Sequence, residues 1–155
     1  AETTLHVIGN PVGPLVMDSS GFLLGVSNTG GAYGGGFVFK LSSDGSQYAV
    51  LYDFCSMANC SDGQYPTEGV IRDNSGSLYG VASGGAYGGG VVFRLTFNGT
   101  SWDETILQAF CSLKNCRDGA GPYGGLIVDA TGNLYGTTLS GGRFNGGTVF
   151  ELSDQ

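Results

Sequence analysis

The stretch Gly30–Leu41, GGAYGGGFVFKL, returns as GGAYGGGVVFRL at Gly84–Leu95 and as GGRFNGGTVFEL at Gly141–Leu152. A glycine cluster admits left-handed backbone, and the apolar-polar alternation after it suits a half-buried ladder. Each copy therefore reads as a loop feeding a strand. Three copies in 155 residues make the chain a repeat array, so its fold follows from one unit and how that unit stacks on itself.

Aligning the copies gives the unit. A proline opens a short first strand at Pro11–Asp18, Pro66–Asp73 and Pro122–Asp129. An Asp-x-x-Gly turn follows, in which the carboxylate accepts backbone hydrogen bonds and glycine closes the hairpin. The second strand covers Phe22–Val26, Ser77–Ala82 and Asn133–Thr138, and the glycine loop leads to a third at Phe37–Leu41, Val91–Leu95 and Thr148–Leu152. A further turn, Asp44-Gly45 or Asn98-Gly99, gives a fourth strand at Tyr48–Phe54 or Glu104–Phe110. The period is 55 and then 56 residues between prolines. Four short antiparallel strands per unit of this length predict an all-β fold, a β-propeller, over a parallel β-helix, whose coils are shorter and lack hairpins.

The third copy runs only to its third strand, and residues 2–8 (ETTLHVI) align with the fourth strand Glu104–Phe110 (ETILQAF). The expectation is one repeat domain over residues 1–155. It holds blades at 11–54 and 66–110, a third with its first three strands at 122–152, and residues 2–8 as the strand that completes it. Three blades are too few for a ring, so two chains are expected to close six blades as a homodimer by exchanging that strand. A contact that did not close would give a larger ring or a filament, and a monomer or a piece of a longer array is the remaining alternative.

Composition narrows the partners. The net charge is −7 with only six basic residues, which argues against nucleic acid and against anionic membranes. No apolar run is long enough for a membrane span. The cysteines form two equivalent units, Cys55–Cys60 and Cys111–Cys116, 56 residues apart. A four-thiolate zinc site needs all four to converge, whereas equivalent positions in separate repeats favour two local disulfides and an oxidising, extracellular setting. Asn59 and Asn98 begin acceptor patterns for N-glycosylation that are too short to carry weight. No cofactor is implied.

The pattern LYG-x3-GG-x3-GG-x-VF-x-L, with FC-x4-C-x-DG between copies, resembles the GloVer (Gloeo/Verruco-type) tandem repeats of secreted or surface-anchored bacterial proteins. It is carried by Leu78-Tyr79-Gly80, Gly84-Gly85, Gly89-Gly90, Val92-Phe93 and Leu95, and again from Leu134 to Leu152. The first copy departs at Leu24, where the others have tyrosine. The resemblance implies a secreted, propeller-like repeat protein and transfers no catalytic residue.

For ligands, the aromatic in each glycine loop comes first: Tyr33, Tyr87 and Phe144, the last flanked by Arg143. Such a ring could stack on a sugar or could seal the seam between blades, and three equivalent sites would favour avidity. Tyr65 and Tyr123, after the cysteine loops, are further candidates. Asp18, Asp73 and Asp129 offer a weak calcium reading beside their turn role. His6 reads as structural and Trp102 as an exposed or capping aromatic, and the carboxylates Glu68, Asp73 and Asp129 could meet at a central channel. Three functions follow: a multivalent, lectin-like carbohydrate binder, a structural extracellular or surface assembly, and a hydrolase or lyase in a propeller channel.

Overall fold

The computed structural model describes residues 2–153, which form strands and short turns with no α-helix. The strands are β1 (Pro11–Met17), β2 (Phe22–Ser27), β3 (Phe37–Ser42), β4 (Tyr48–Asp53), β5 (Gln64–Pro66), β6 (Ile71–Arg72) and β7 (Leu78–Ser83). They continue as β8 (Val91–Phe97), β9 (Trp102–Ala109), β10 (Ala120–Pro122), β11 (Ile127–Val128), β12 (Leu134–Ser140) and β13 (Thr148–Leu152). They make three antiparallel sheets, one per repeat. The first has the order β1-β2-β3-β4; in the second, β5 and β6 share β7, followed by β8 and β9; in the third, β10 and β11 share β12, followed by β13.

The glycine in the Leu-Leu-Gly and Leu-Tyr-Gly steps has a cross-strand cause. Gly25, Gly80 and Gly136 pair directly with Phe39, Phe93 and Phe150. A methyl group at these glycines would come within 2.6, 2.5 and 2.5 Å of the facing phenyl ring. The ring fills the place of the missing side chain, so the glycine of one strand and the phenylalanine of the next act as one packing unit.

The first strand of each unit departs from the expected continuous ladder. In the second and third sheets it is interrupted, and in the first it shifts register between Val12 and Val16. The breaks fall on equivalent dipeptides, Gly13-Pro14, Glu68-Gly69 and Gly124-Gly125. A Cβ on Gly69 would run into the backbone of Pro14, and one on Gly13 into Gly69. At this point the first strands of the first two sheets approach too closely for side chains.

Packing between sheets repeats as regularly as the sequence. Leu24, Val26, Val38 and Phe54 of the first sheet bury against Val70, Leu78 and Phe93 of the second. One repeat on, Val81, Val92 and Phe110 bury against Leu126, Leu134 and Phe150 of the third. Phe54 meets Phe93 at 4.9 Å and Phe110 meets Phe150 at 5.0 Å between ring centres. Each aromatic buried this way contributes about 1.5–3 kcal/mol.

Residues 2–8 lie outside every strand and rest beside the first sheet's other face. There His6 stacks on Tyr48 at 4.3 Å, and Ile8 meets the cluster of Phe37, Phe39 and Leu41. The strand exchange expected of them needs a second chain and is not made within one. Trp102 is half-buried, 5.6 Å from Phe97 at the margin of the first core.

Candidate functional site

Antiparallel order sorts the connections onto two rims. The Asp-x-x-Gly turns and the turns at Asp44 and Asn98 lie at one end of the sheets; the glycine loops and cysteine loops lie at the other.

At the first rim, Asp18, Asp73 and Asp129 lock their hairpins. Asp73 Oδ1 accepts from Ser75 Oγ and the Ser77 N–H, while Oδ2 accepts from the Tyr79 hydroxyl at 2.9 Å. Asp129 accepts from Thr131, Asn133 and, at 3.1 Å, the Tyr135 hydroxyl. In the first repeat, where leucine replaces that tyrosine, Lys40 Nζ stands 3.0 Å from Asp18 instead. The Thr131 hydroxyl leads in lowering the Asp129 pKa; at Asp73 and Asp18, hydrogen bonds outweigh the raising effect of burial. These donor contacts give the aspartates a turn-locking role, and no cluster of three or more His, Cys, Asp or Glu side chains suited to a metal occurs among the described residues. Glu68 sits beside Gly13 at the break in the first strand of its unit, whereas Asp73 and Asp129 are held in the Asp-x-x-Gly turns of this rim.

At the second rim, cysteines 55 and 60 and cysteines 111 and 116 are disulfide-bonded. Each loop wraps a carboxylate. Fully buried Asp62 accepts from the Tyr52 hydroxyl and from Ser56 and Met57, and Asp118 accepts from Ser112 and Leu113. Each disulfide loop then touches the next repeat's glycine loop: the Cys60 carbonyl accepts from the Gly85 N–H (3.2 Å), and the Cys116 carbonyl from the Gly142 N–H (2.9 Å).

The glycine loops present their rings outward. Tyr33 and Tyr87 are each 59% exposed and Phe144 is 87% exposed. The next residue in each loop is left-handed: Gly34 at φ +77°, Gly88 at +71° and Asn145 at +56°. Asparagine tolerates that conformation, and its Oδ1 accepts from the Gly141 N–H at 3.1 Å. Main-chain hydrogen bonds, and not the Tyr33 and Tyr87 rings alone, join the glycine loops to the next sheet. The Tyr65 N–H donates to the Gly35 carbonyl at 2.6 Å, and the Gly121 N–H to the Gly89 carbonyl at 2.7 Å.

Tyr65 and Tyr123 are exposed but not equivalent. Tyr65 precedes Pro66 and matches Gly121, whereas Tyr123 follows Pro122 on the inner segment of the third sheet. Arg143 and Phe144 line a cleft of about 690 Å³ together with Asn115 and Arg117 of the second disulfide loop. The sequence reading missed Arg117, which lies far from Arg143 in the chain; comparing the loops column by column would have found it. It also missed Glu104, whose side chain lies at the seam between the first two sheets. Burial, with the Asp62 charge adding to it, pushes that carboxyl up to about 8.

The model of the Gloeobacter/Verrucomicrobia repeat matches residues 3–155, and the chain belongs to that family. No curated protein matches it.

Proposed function

Taking this Gloeobacter/Verrucomicrobia repeat chain as the premise, we propose that it is an extracellular, multivalent carbohydrate-binding module built as a self-assembling β-propeller. The observation carrying the binding reading is the outward display of one aromatic ring per glycine loop. In the middle repeat, which has a sheet on either side, Val81, Val92 and Phe93 are buried, whereas Tyr87 stands 59% exposed on a loop whose seam already carries a backbone hydrogen bond. An exposed ring free of packing duty offers its face to the C–H face of a sugar. Three rings on one rim, doubled in a dimer, would convert weak single contacts into avidity. The disulfides support an oxidising, extracellular location.

Self-assembly rests on the sheet faces. Two copies of three sheets would close six blades, within the range of about four to eight that propellers use. Residues 2–8 would leave the first sheet's free face and pair with β13 of the other copy. A glycan array tests the binding reading. Hits that weaken with Tyr33→Ala and Tyr87→Ala support it; an array without hits overturns it and leaves the second reading, a structural surface assembly, which the unpartnered end faces favour.

A further inference from the structure

We infer that the cleft between the second disulfide loop and the third glycine loop is a site for an acidic sugar, a uronate residue of a polysaccharide. This rests on the carbohydrate-binding reading and assigns the third ring a different ligand from the other two.

The argument starts from charge. The chain carries six basic residues against thirteen acidic ones. Two of the six, Arg117 and Arg143, line the cleft, and a third, Lys114, is the chain neighbour of its wall residue Asn115. All three are exposed, and none forms an ion pair among the described residues, where Lys40 and Asp18 do. Asp118, the acidic side chain nearest in sequence, is committed to its own loop through Ser112 and Leu113.

The repeat supplies an internal control. In the equivalent junction one repeat earlier, the positions of Lys114, Arg117 and Arg143 hold Ala58, Ser61 and Ala86. The backbone contact is the same in both, the disulfide-loop carbonyl accepting from the second loop glycine. One scaffold thus occurs once neutral and once triply basic, so the charges are not needed to build the junction.

The aromatic neighbour selects among anions. Arginine forks bind carboxylate and phosphate alike. Phe144 stands at the cleft 87% exposed, with the Arg143 guanidinium 5.3 Å from its ring centre. A free phosphate has no apolar face to place on that ring, whereas a uronate carries a carboxylate and a C–H face on one pyranose. The volume, about 690 Å³, lies within the range of small-molecule sites.

Titration calorimetry on the oxidised chain with a galacturonate tetramer and a neutral glucose tetramer tests this. The uronate binds more tightly, and Arg117→Gln with Arg143→Gln weakens it by about tenfold or more, while neutral-sugar binding and its loss in Tyr33→Ala stay as they were. Raising salt from ~50 to ~500 mM weakens only the uronate. Equal affinity for both tetramers, or uronate binding indifferent to the arginines, overturns the inference and leaves the neutral-sugar reading standing. Inorganic phosphate competing as well as galacturonate overturns it by reducing the cleft to an unselective anion patch. Binding of neither tetramer overturns the inference, and the glycan array then decides the carbohydrate-binding reading separately.

Discussion

Val92 and Val149 occupy the same position one repeat apart; the first is wholly buried and the second is 82% exposed. Val92 is covered because the third sheet packs on it, and Val149 faces the side where a next sheet would lie. Ile127 and Leu139 are each 67% exposed on the same third sheet. At the other end, Leu15 is 53% exposed although its counterpart Val70 is buried between sheets. The outer faces of the first and third sheets are therefore, by repeat, the two halves of the interface that joins neighbouring sheets.

Self-association should depend on that valine. Burying it in a dimer contributes about 1.5–3 kcal/mol, and an aspartate there would be desolvated without a partner. Val149→Asp is expected to lower dimer affinity by about tenfold or more in light scattering or native mass spectrometry, with unchanged circular dichroism. A wild-type chain that stays monomeric at high micromolar concentration would contradict the assembly reading.

The glycine-phenylalanine pairs predict an overpacking cost. Gly80→Ala places a methyl group against the Phe93 ring, which is completely buried and cannot retreat. Stability should fall by about 1–3 kcal/mol, read from the urea midpoint. Gly80→Ala combined with Phe93→Leu should recover part of the loss, since the clash leaves with the ring.

Glu104 sets a pH dependence. Its pKa is raised from 4.5 to about 8, so the folded chain holds this proton more tightly than the unfolded one. The advantage is complete below the unfolded value and is lost as pH rises through the folded value. Stability should decline between pH 4.5 and about 8, and Glu104→Gln should flatten that decline. Asp18, Asp73 and Asp129 have lowered values and act oppositely, withdrawing stability below the ordinary carboxylate range. The thermal midpoint should therefore peak in mildly acidic solution.

The two disulfides should be equal in stability and unequal in function. Each spans a sequence separation of 5, a short loop whose closure is worth about 2 kcal/mol. Replacing either pair by serines should cost that much in chemical denaturation. Only removal of Cys111 and Cys116 should also weaken galacturonate binding, because that loop carries Arg117 and one wall of the basic cleft.

The sheets were legible because their determinants are local. Glycine clusters, Asp-x-x-Gly turns and alternating apolar residues place nine of the thirteen strands (β1–β4, β7–β9, β12 and β13) within a few residues, and even the disulfides follow from equivalent positions. The breaks in the first strands were not legible, and neither was the crowding of Gly13 against Gly69, a contact between repeats that no local pattern encodes. The exposure of Tyr33 and Tyr87 was undecided for a similar reason: whether a ring seals a seam depends on what else already does. The basic cleft joins residues 114–117 to Arg143 across a loop contact and shows in the sequence only as substitutions against the preceding copy.

The backbone ties between Gly35 and Tyr65 and between Gly89 and Gly121 bear on how such a chain can change. They are made by atoms common to every residue, so cohesion of neighbouring repeats is indifferent to which side chain crowns the loop. A tyrosine, a phenylalanine or an arginine can be exchanged at the rim without renegotiating the interior. The rim is thus free to differ from copy to copy over an unchanged interior, and the third loop does differ, at Arg143, Phe144 and Asn145.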